Sequence, residues 1–210
     1  MAGNTRPACG HLAHPALMDL VKMVIRRFDD WLSHVEGVEP FAREPLIILR
    51  LQYARAGREI RLPDGLIAVR APVLILHFWN ERLPAMTSQG ADLAWALQFQ
   101  RRLLYSMKAV ALHLRKTDPE GEVAAVGGVV AQVSMETADG GRLLLERLGF
   151  TIFPYRRPAG AFGEFWENFY TWMLMWTYNP GSLRSHSLLG LQRNEFWMTR
   201  ARFLDRFAGV

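Results

Sequence analysis

The chain is short of the residues from which most catalytic motifs are built. It has a single cysteine, Cys9, so one chain can form neither a disulfide framework nor a cysteine-based zinc site. That usage suits a reducing compartment, and a cytoplasmic location is the expectation. Lysine is scarce: Lys22, Lys108 and Lys116 are three of 25 basic residues, and the others are arginine. No apolar run reaches the roughly 18–20 residues that span a bilayer, and the N-terminal segment lacks the unbroken apolar stretch of a secretion signal. The glycine-rich loops GxGxxG and GxxxxGK[ST] are missing, as is the GxSxG turn that presents a nucleophilic serine. None of the six histidines is placed like the paired ligands of HExxH. No metal and no cofactor is expected, and the sequence carries no complete catalytic signature.

What is present describes a folded chain of ordinary make-up. With 210 residues, 50% hydrophobic and 21% charged, it fits one domain of average composition. Residues 1–15 read as a loose segment and 16–210 as a single domain. The formal charge of +5 is carried by arginine, whose planar fork suits phosphate and carboxylate. An anionic ligand fits that bias, and so does a coding preference for arginine with acids interspersed. No nucleic-acid motif accompanies the charge, and nucleic acid is not an expected partner.

Hydrophobic periodicity sets out the elements. Ala16–Val35 reads as an amphipathic helix: Leu17, Leu20, Val21, Val24, Phe28, Trp31 and Leu32 form an apolar stripe. Asp19, Lys22, Arg26, Arg27 and Asp30 lie opposite. Leu46–Tyr53 and Arg58–Leu62 read as strands, and Pro63-Asp64-Gly65 as a turn that uses glycine's tolerance of positive φ. Val73–Trp79 is the clearest strand, apolar enough for burial on both faces.

Asp92–Lys116 is a long helix, acidic at its start and basic at its end as the helix dipole favours. Its expected buried stripe is Leu93, Leu97, Leu104, Met107, Val110, Ala111 and Leu114. A strand follows at Val123–Val133, where Gly127-Gly128 suggests a bulge or a close backbone approach. Asp139–Leu148 is a short helix stopped by Gly149, and Phe150–Tyr155 the next strand. Arg156–Gly163 is a hinge candidate before the aromatic helix Phe162–Tyr178, which ends at Asn179-Pro180-Gly181. Glu195–Met198 is a last strand, with Thr199 capping a final helix at Arg200–Phe207. This order predicts an α+β (or α/β) fold: one mixed sheet covered by helices.

The densest polar cluster follows the clearest strand: His77, Trp79, Asn80, Glu81 and Arg82. Were the strand to persist, His77, Trp79 and Glu81 would share one face, and an imidazole with a carboxylate there could exchange protons. The competing reading is a histidine satisfied by ordinary hydrogen bonds beside a surface ion pair. Arg193 and Arg200 flank the last strand and, with Trp197 inside it, complete the candidate ligand-binding set. The aromatic helix Phe162–Tyr178 is most simply core. A partner surface, or peripheral contact with a membrane, is the alternative, although Glu164 and Glu167 argue against an anionic lipid surface.

Two resemblances follow from these residues. Gly141–Phe150 (GRLLLERLGF) is similar to the late helix-to-strand segment of GNAT acetyltransferases, although the R/QxxGxG/A signature that binds pantetheine there is missing. Over a longer stretch, Leu62-x-Asp64-Gly65-x-Ile67, Leu76-His77-x-x-Asn80-x-x-Leu83, Leu145–Phe150 and Trp197-Met198-Thr199-Arg200 resemble the YkoP-like domain. That is a bacterial module often found beside, or fused to, polysaccharide deacetylases, and the likeness spans most of the chain after Pro45. Ala71-Pro72 stands where the family usually has Gly-Asp. No deacetylase domain is present, so that activity does not carry over. The resemblance implies an accessory domain of envelope-polysaccharide metabolism, binding a protein partner or an anionic glycan- or lipid-linked metabolite. The alternative is a GNAT-like acyltransferase with a degenerate acyl-CoA motif. It would need two parallel strands that splay apart and free amides at a helix N-terminus.

Overall fold

The computed structural model describes residues 15–132, 140–155, 160–185 and 192–209. Five helices and seven strands lie in these segments: α1 (Pro15–Glu36), β1 (Leu49–Arg55), β2 (Ile60–Leu62), β3 (Gly65–Ile67), β4 (Pro72–Phe78), α2 (Leu93–Thr117), β5 (Ala125–Gln132), α3 (Gly140–Arg147), β6 (Thr151–Pro154), α4 (Gly160–Tyr178), β7 (Gln192–Thr199) and α5 (Arg200–Ala208). The main sheet runs β1-β4-β5-β7-β6, and β2-β3 form a separate hairpin. Only β4 and β5 are parallel; every other neighbouring pair is antiparallel. This is the mixed sheet and α+β fold that the element order predicts.

Local chemistry accounts for most boundaries. The Asp92 carboxylate accepts from the Trp95 amide and caps α2, while Arg115 and Lys116 fill its last turn. Thr199 does the same for α5, accepting from the Arg202 amide. Gly149, at φ 95°, reverses the chain after α3 in a conformation that L side chains resist. Gly65 does not adopt positive φ, contrary to expectation. It instead gives room to Thr199, whose methyl carbon would lie 3.6 Å from a Cβ there.

The sheet has two unlike faces. On one, Leu74, Leu76, Val126, Phe196 and Met198 pack with Met107, Val110 and Leu114 of α2, Leu145 of α3, and Phe203 and Phe207 of α5. The buried stripe of α2 begins later than periodicity suggests. Leu93 and Leu97 are exposed, and Leu103 is buried where Leu104 is only half-buried, because the first turns of α2 project past the core. On the other face, the β2-β3 hairpin closes over Val73, Ala125 and Trp197. Gly127 is part of that closure: a Cβ there would meet the Trp197 ring at 2.2 Å. The expected close approach at Gly127-Gly128 is a sheet without room for a methyl group.

Two helices do not fill the roles their patterns suggest. α1 packs on α4 with Ile25, Asp29 and Ser33 buried, and its apolar stripe stays exposed. Lys22 and Arg26, read as polar-face residues, sit over the rings of Trp176 and Tyr178. Cations are stabilised over aromatic faces, which lets this side of the helix be the inner one. α4 is no core helix either. Among its described residues only Asn168 and Thr177 are buried, while Phe165 and Trp166 are exposed. The hinge candidate at 156–163 is partly replaced by the start of α4 at Gly160; residues 156–159 lie outside the described ones.

Candidate functional site

Strands β4 and β5 hydrogen-bond in parallel over only three pairs, Val73–Ala125 to Ile75–Gly127. Past these, β4 stays with β1 to Phe78 and β5 stays with β7 to Gln132. The two central strands therefore part, and a cleft of about 1000 Å³ opens where they do. His77 and Phe78 line it from β4, and Val129 and Val130 from β5. α1 and α4 form its outer walls, with Leu32, Phe169, Met173 and Leu174 among the apolar lining. A largely apolar cleft with a few converging polar groups is the usual form of a small-molecule site.

The polar groups converge on Arg50. It is the one charged residue of the apolar run Leu46–Tyr53, and pairing with His77 across β1 and β4 puts it on the cleft face. Its side chain is 10% exposed and lies 3.6 Å from Asp29 of α1, itself 7% exposed. That distance is an ion contact and too long for a hydrogen bond. The Arg50 Nε is buried with no hydrogen-bond partner among the described residues. Five N–H donors in a low-dielectric wall, so poorly matched, are costly to keep. The Tyr170 hydroxyl donates a short bond to Asp29, and burial followed by that carboxylate pushes its pKa well up. Burial and then Asp29 also raise Glu36.

His77 is held neutral. Burial first and the Arg50 charge second lower its pKa to about 4. Its Nε2 pairs with the Gln52 side-chain oxygen at 2.9 Å. Further along the cleft, Arg193 of β7 donates to Glu167 at 2.6 Å and to Thr171 at 3.0 Å. The Tyr155 hydroxyl also donates to Glu167, and burial ahead of that carboxylate raises its pKa. Arg193 is thus spent on tying α4 to the sheet.

The candidate set read from the sequence divides into four places. His77, Asn80 and Arg193 line the cleft. Trp79, Glu81 and Arg82 do not, because the strand ends at Phe78 and Asn80–Arg82 turn as one 3-10 helix. The face that His77 and Glu81 would have shared is therefore not formed. Arg82 stacks on Trp79 at 3.5 Å and donates to the Glu44 carbonyl. Glu81 accepts from Trp79 and Tyr178. Trp197 is buried against Gly127 and donates to Glu195, which also binds Arg58. Arg200 lies beyond the end of α2, where it binds the Asp118 carboxylate at 3.1 Å. Burial raises Asp118, but two backbone amides and Arg200 outweigh it and the net shift is down.

Arg50, Asp29 and Tyr170 were not among the residues singled out by sequence. A lone arginine in an apolar β-run was the available signal for the first. Asp29 and Tyr170 had none, since an acid on an amphipathic helix and one ring among many are unremarkable. Among the described residues no group of three or more His, Cys, Asp or Glu could hold a metal, and no helix is long and apolar enough to cross a membrane.

Fold and cleft together define an α+β domain built around one apolar site where two parallel strands diverge. The YkoP domain matches residues 20–207, and the chain belongs to that family. No curated protein and no solved structure matches it.

Proposed function

We propose that the protein is a binding domain for an amphipathic anion, an apolar chain carrying a phosphate or carboxylate. The chain would occupy the cleft between α1 and α4, with its head at Arg50. The observation that carries this reading is the buried, under-coordinated Arg50 guanidinium in a largely apolar cleft. A phosphate or carboxylate there gains charge-assisted bonds that Asp29, at 3.6 Å, does not supply. The neutral His77 adds a polar neighbour without a second positive charge. The likeness to modules found beside polysaccharide deacetylases makes lipid-linked glycan phosphates the first ligands to try.

The parting of β4 and β5 favours one second reading, an acyltransferase using acyl-CoA. Against it stands the N-terminus of α2, where the Asp92 carboxylate occupies the place a phosphate would need.

A thermal-shift panel of polyprenyl phosphates, long-chain carboxylates and acyl-CoA separates the two. A ligand at about 100 times its dissociation constant stabilises the native state by about 2.7 kcal/mol. Polyprenyl phosphate or a long-chain carboxylate should raise the melting temperature of the wild type and leave Arg50→Met unmoved. A shift with acyl-CoA alone, accompanied by acyl transfer, replaces the first reading with the second. No shift with any of the three overturns both.

A further inference from the structure

The exposed face of α1 has a geometry of its own. Leu17, Val21, Val24, Phe28, Trp31 and Val35 follow one another at alternating spacings of four and three residues. That is the repeat of a coiled-coil seam, widened at its N-terminal end by the exposed Met18, Leu20 and Met23. All six are exposed, from 39% for Val21 to 61% for Val24 and Val35. Ile25, Asp29 and Ser33, on another side of the helix, already pack toward α4. Phe28 meets the Tyr170 ring edge-on, but most of the seam's surface is left over by the described residues of the domain.

We infer that α1 is a self-association surface on which two copies of this chain pack antiparallel about a two-fold axis level with Arg26. Such an axis sets Leu17 against Val35, Val21 against Trp31 and Val24 against Phe28, each pair twice, as an isologous interface requires. Any heptad stripe has symmetric spacing, but side-chain size is independent of it. Here each aromatic side chain meets a valine across the axis, so large fills the space left by small, as knobs-into-holes packing needs. A parallel pair would instead stack Trp31 on Trp31 and leave Val21 facing Val21.

Charge selects a second copy over a lipid surface. α1 carries Lys22, Arg26 and Arg27 against Asp19, Asp29, Asp30 and Glu36, so it has no basic excess for anionic headgroups. Two such helices, each with three cations against four anions, meet with little repulsion. Val24 and Phe28 also line the cleft, and a partner helix on the seam lies along the cleft's open side.

Sedimentation equilibrium of the full chain tests this. The wild type should have twice the 24.0 kDa chain mass. Val21→Glu and Trp31→Lys, neither of which lines the cleft, should each halve it with the far-UV circular dichroism spectrum unchanged. Mixed in equal amounts, the two variants should regain the dimer, since antiparallel pairing sets Glu against Lys. Monomeric wild type overturns the inference, whether or not it floats with phosphatidylglycerol vesicles. A dimer that both variants retain overturns it too. Variants that separate but fail to recombine exclude the antiparallel arrangement.

Discussion

Where β4 and β5 run together the molecule is closed, and where they part it is open. In the closed half, Val73, Leu74, Ala125 and Val126 are at most 1% exposed, and Gly127 leaves no space against Trp197. Charged groups there are paired at short range: Asp118 with Arg200 and two backbone amides, and Glu195 with Arg58, whose Nε is nevertheless buried without a partner among the described residues. In the open half, the ion pair is stretched, α4 shows its rings to the cleft, and its buried Asn168 and Thr177 each have a side-chain oxygen without a partner among the described residues. The contrast separates scaffold from site. Buried polar groups without partners mark places where something else can meet them, and among the described residues Arg50 is the one of these that lines the cleft.

The sharpest way to break that contrast is to disturb the closed half. Gly127→Val should cost about 3 kcal/mol or more, because its Cβ would meet both the Trp197 ring and the Phe196 carbonyl. Urea unfolding, or failure to obtain folded protein, reads this out. Matched truncations sharpen it. Phe203→Ala, fully buried on α5, should lose about 3–5 kcal/mol, whereas Phe169→Ala, half-buried beside the cleft, should lose about 1 kcal/mol. Equal losses would mean the cleft side is packed as tightly as the core.

A smaller effect tests the cleft's electrostatics through pH. The His77 imidazole resists protonation until about pH 4 in the native state, against 6.5 ordinarily. The unfolded chain takes up that proton first as pH falls. Stability from this residue is therefore complete above about pH 6.5 and declines toward pH 4, by up to about 3 kcal/mol. Unfolding of the wild type and His77→Gln at pH 7.5 and 4.5 isolates it: the variant should lose less on acidification. The smallest change is expected at the cluster outside the cleft. Arg82→Ala removes a stacked cation from Trp79 and should cost about 1 kcal/mol or less, measured by the same unfolding.

Much of the frame was legible because it is set locally. Thr199 caps the helix expected of it, Asp92 caps α2 rather than lying in its first turn, Gly149 ends α3, and the continuous apolar run in Val73–Phe78 identifies the central strand. β7 is longer than its apolar part, Gln192–Thr199 rather than Glu195–Met198. Arg193 lines the cleft and Glu195 is held by Arg58 and Trp197, so both polar residues find partners within the strand's length. Orientation was not legible. Periodicity shows that α1 has an apolar face, yet nothing local says whether that face meets its own domain, and Lys22 and Arg26 lean toward α4 because it offers them rings. The polar cluster after β4 looked like one site because a continuing strand would have aligned it. The turn at Asn80 disperses it, and the residue that gathers the cleft's polar groups, Arg50, sits in another strand.

Calorimetric titration of polyprenyl phosphate into wild type, Arg50→Met and Arg82→Met tests the central claim most directly. The expected result is one site per chain in the wild type, retained in Arg82→Met and weakened at least about tenfold in Arg50→Met, the loss of a charged hydrogen-bond donor. Binding that Arg50→Met retains and Arg82→Met loses would contradict it, and would place the site on the surface around Trp79 instead of in the cleft.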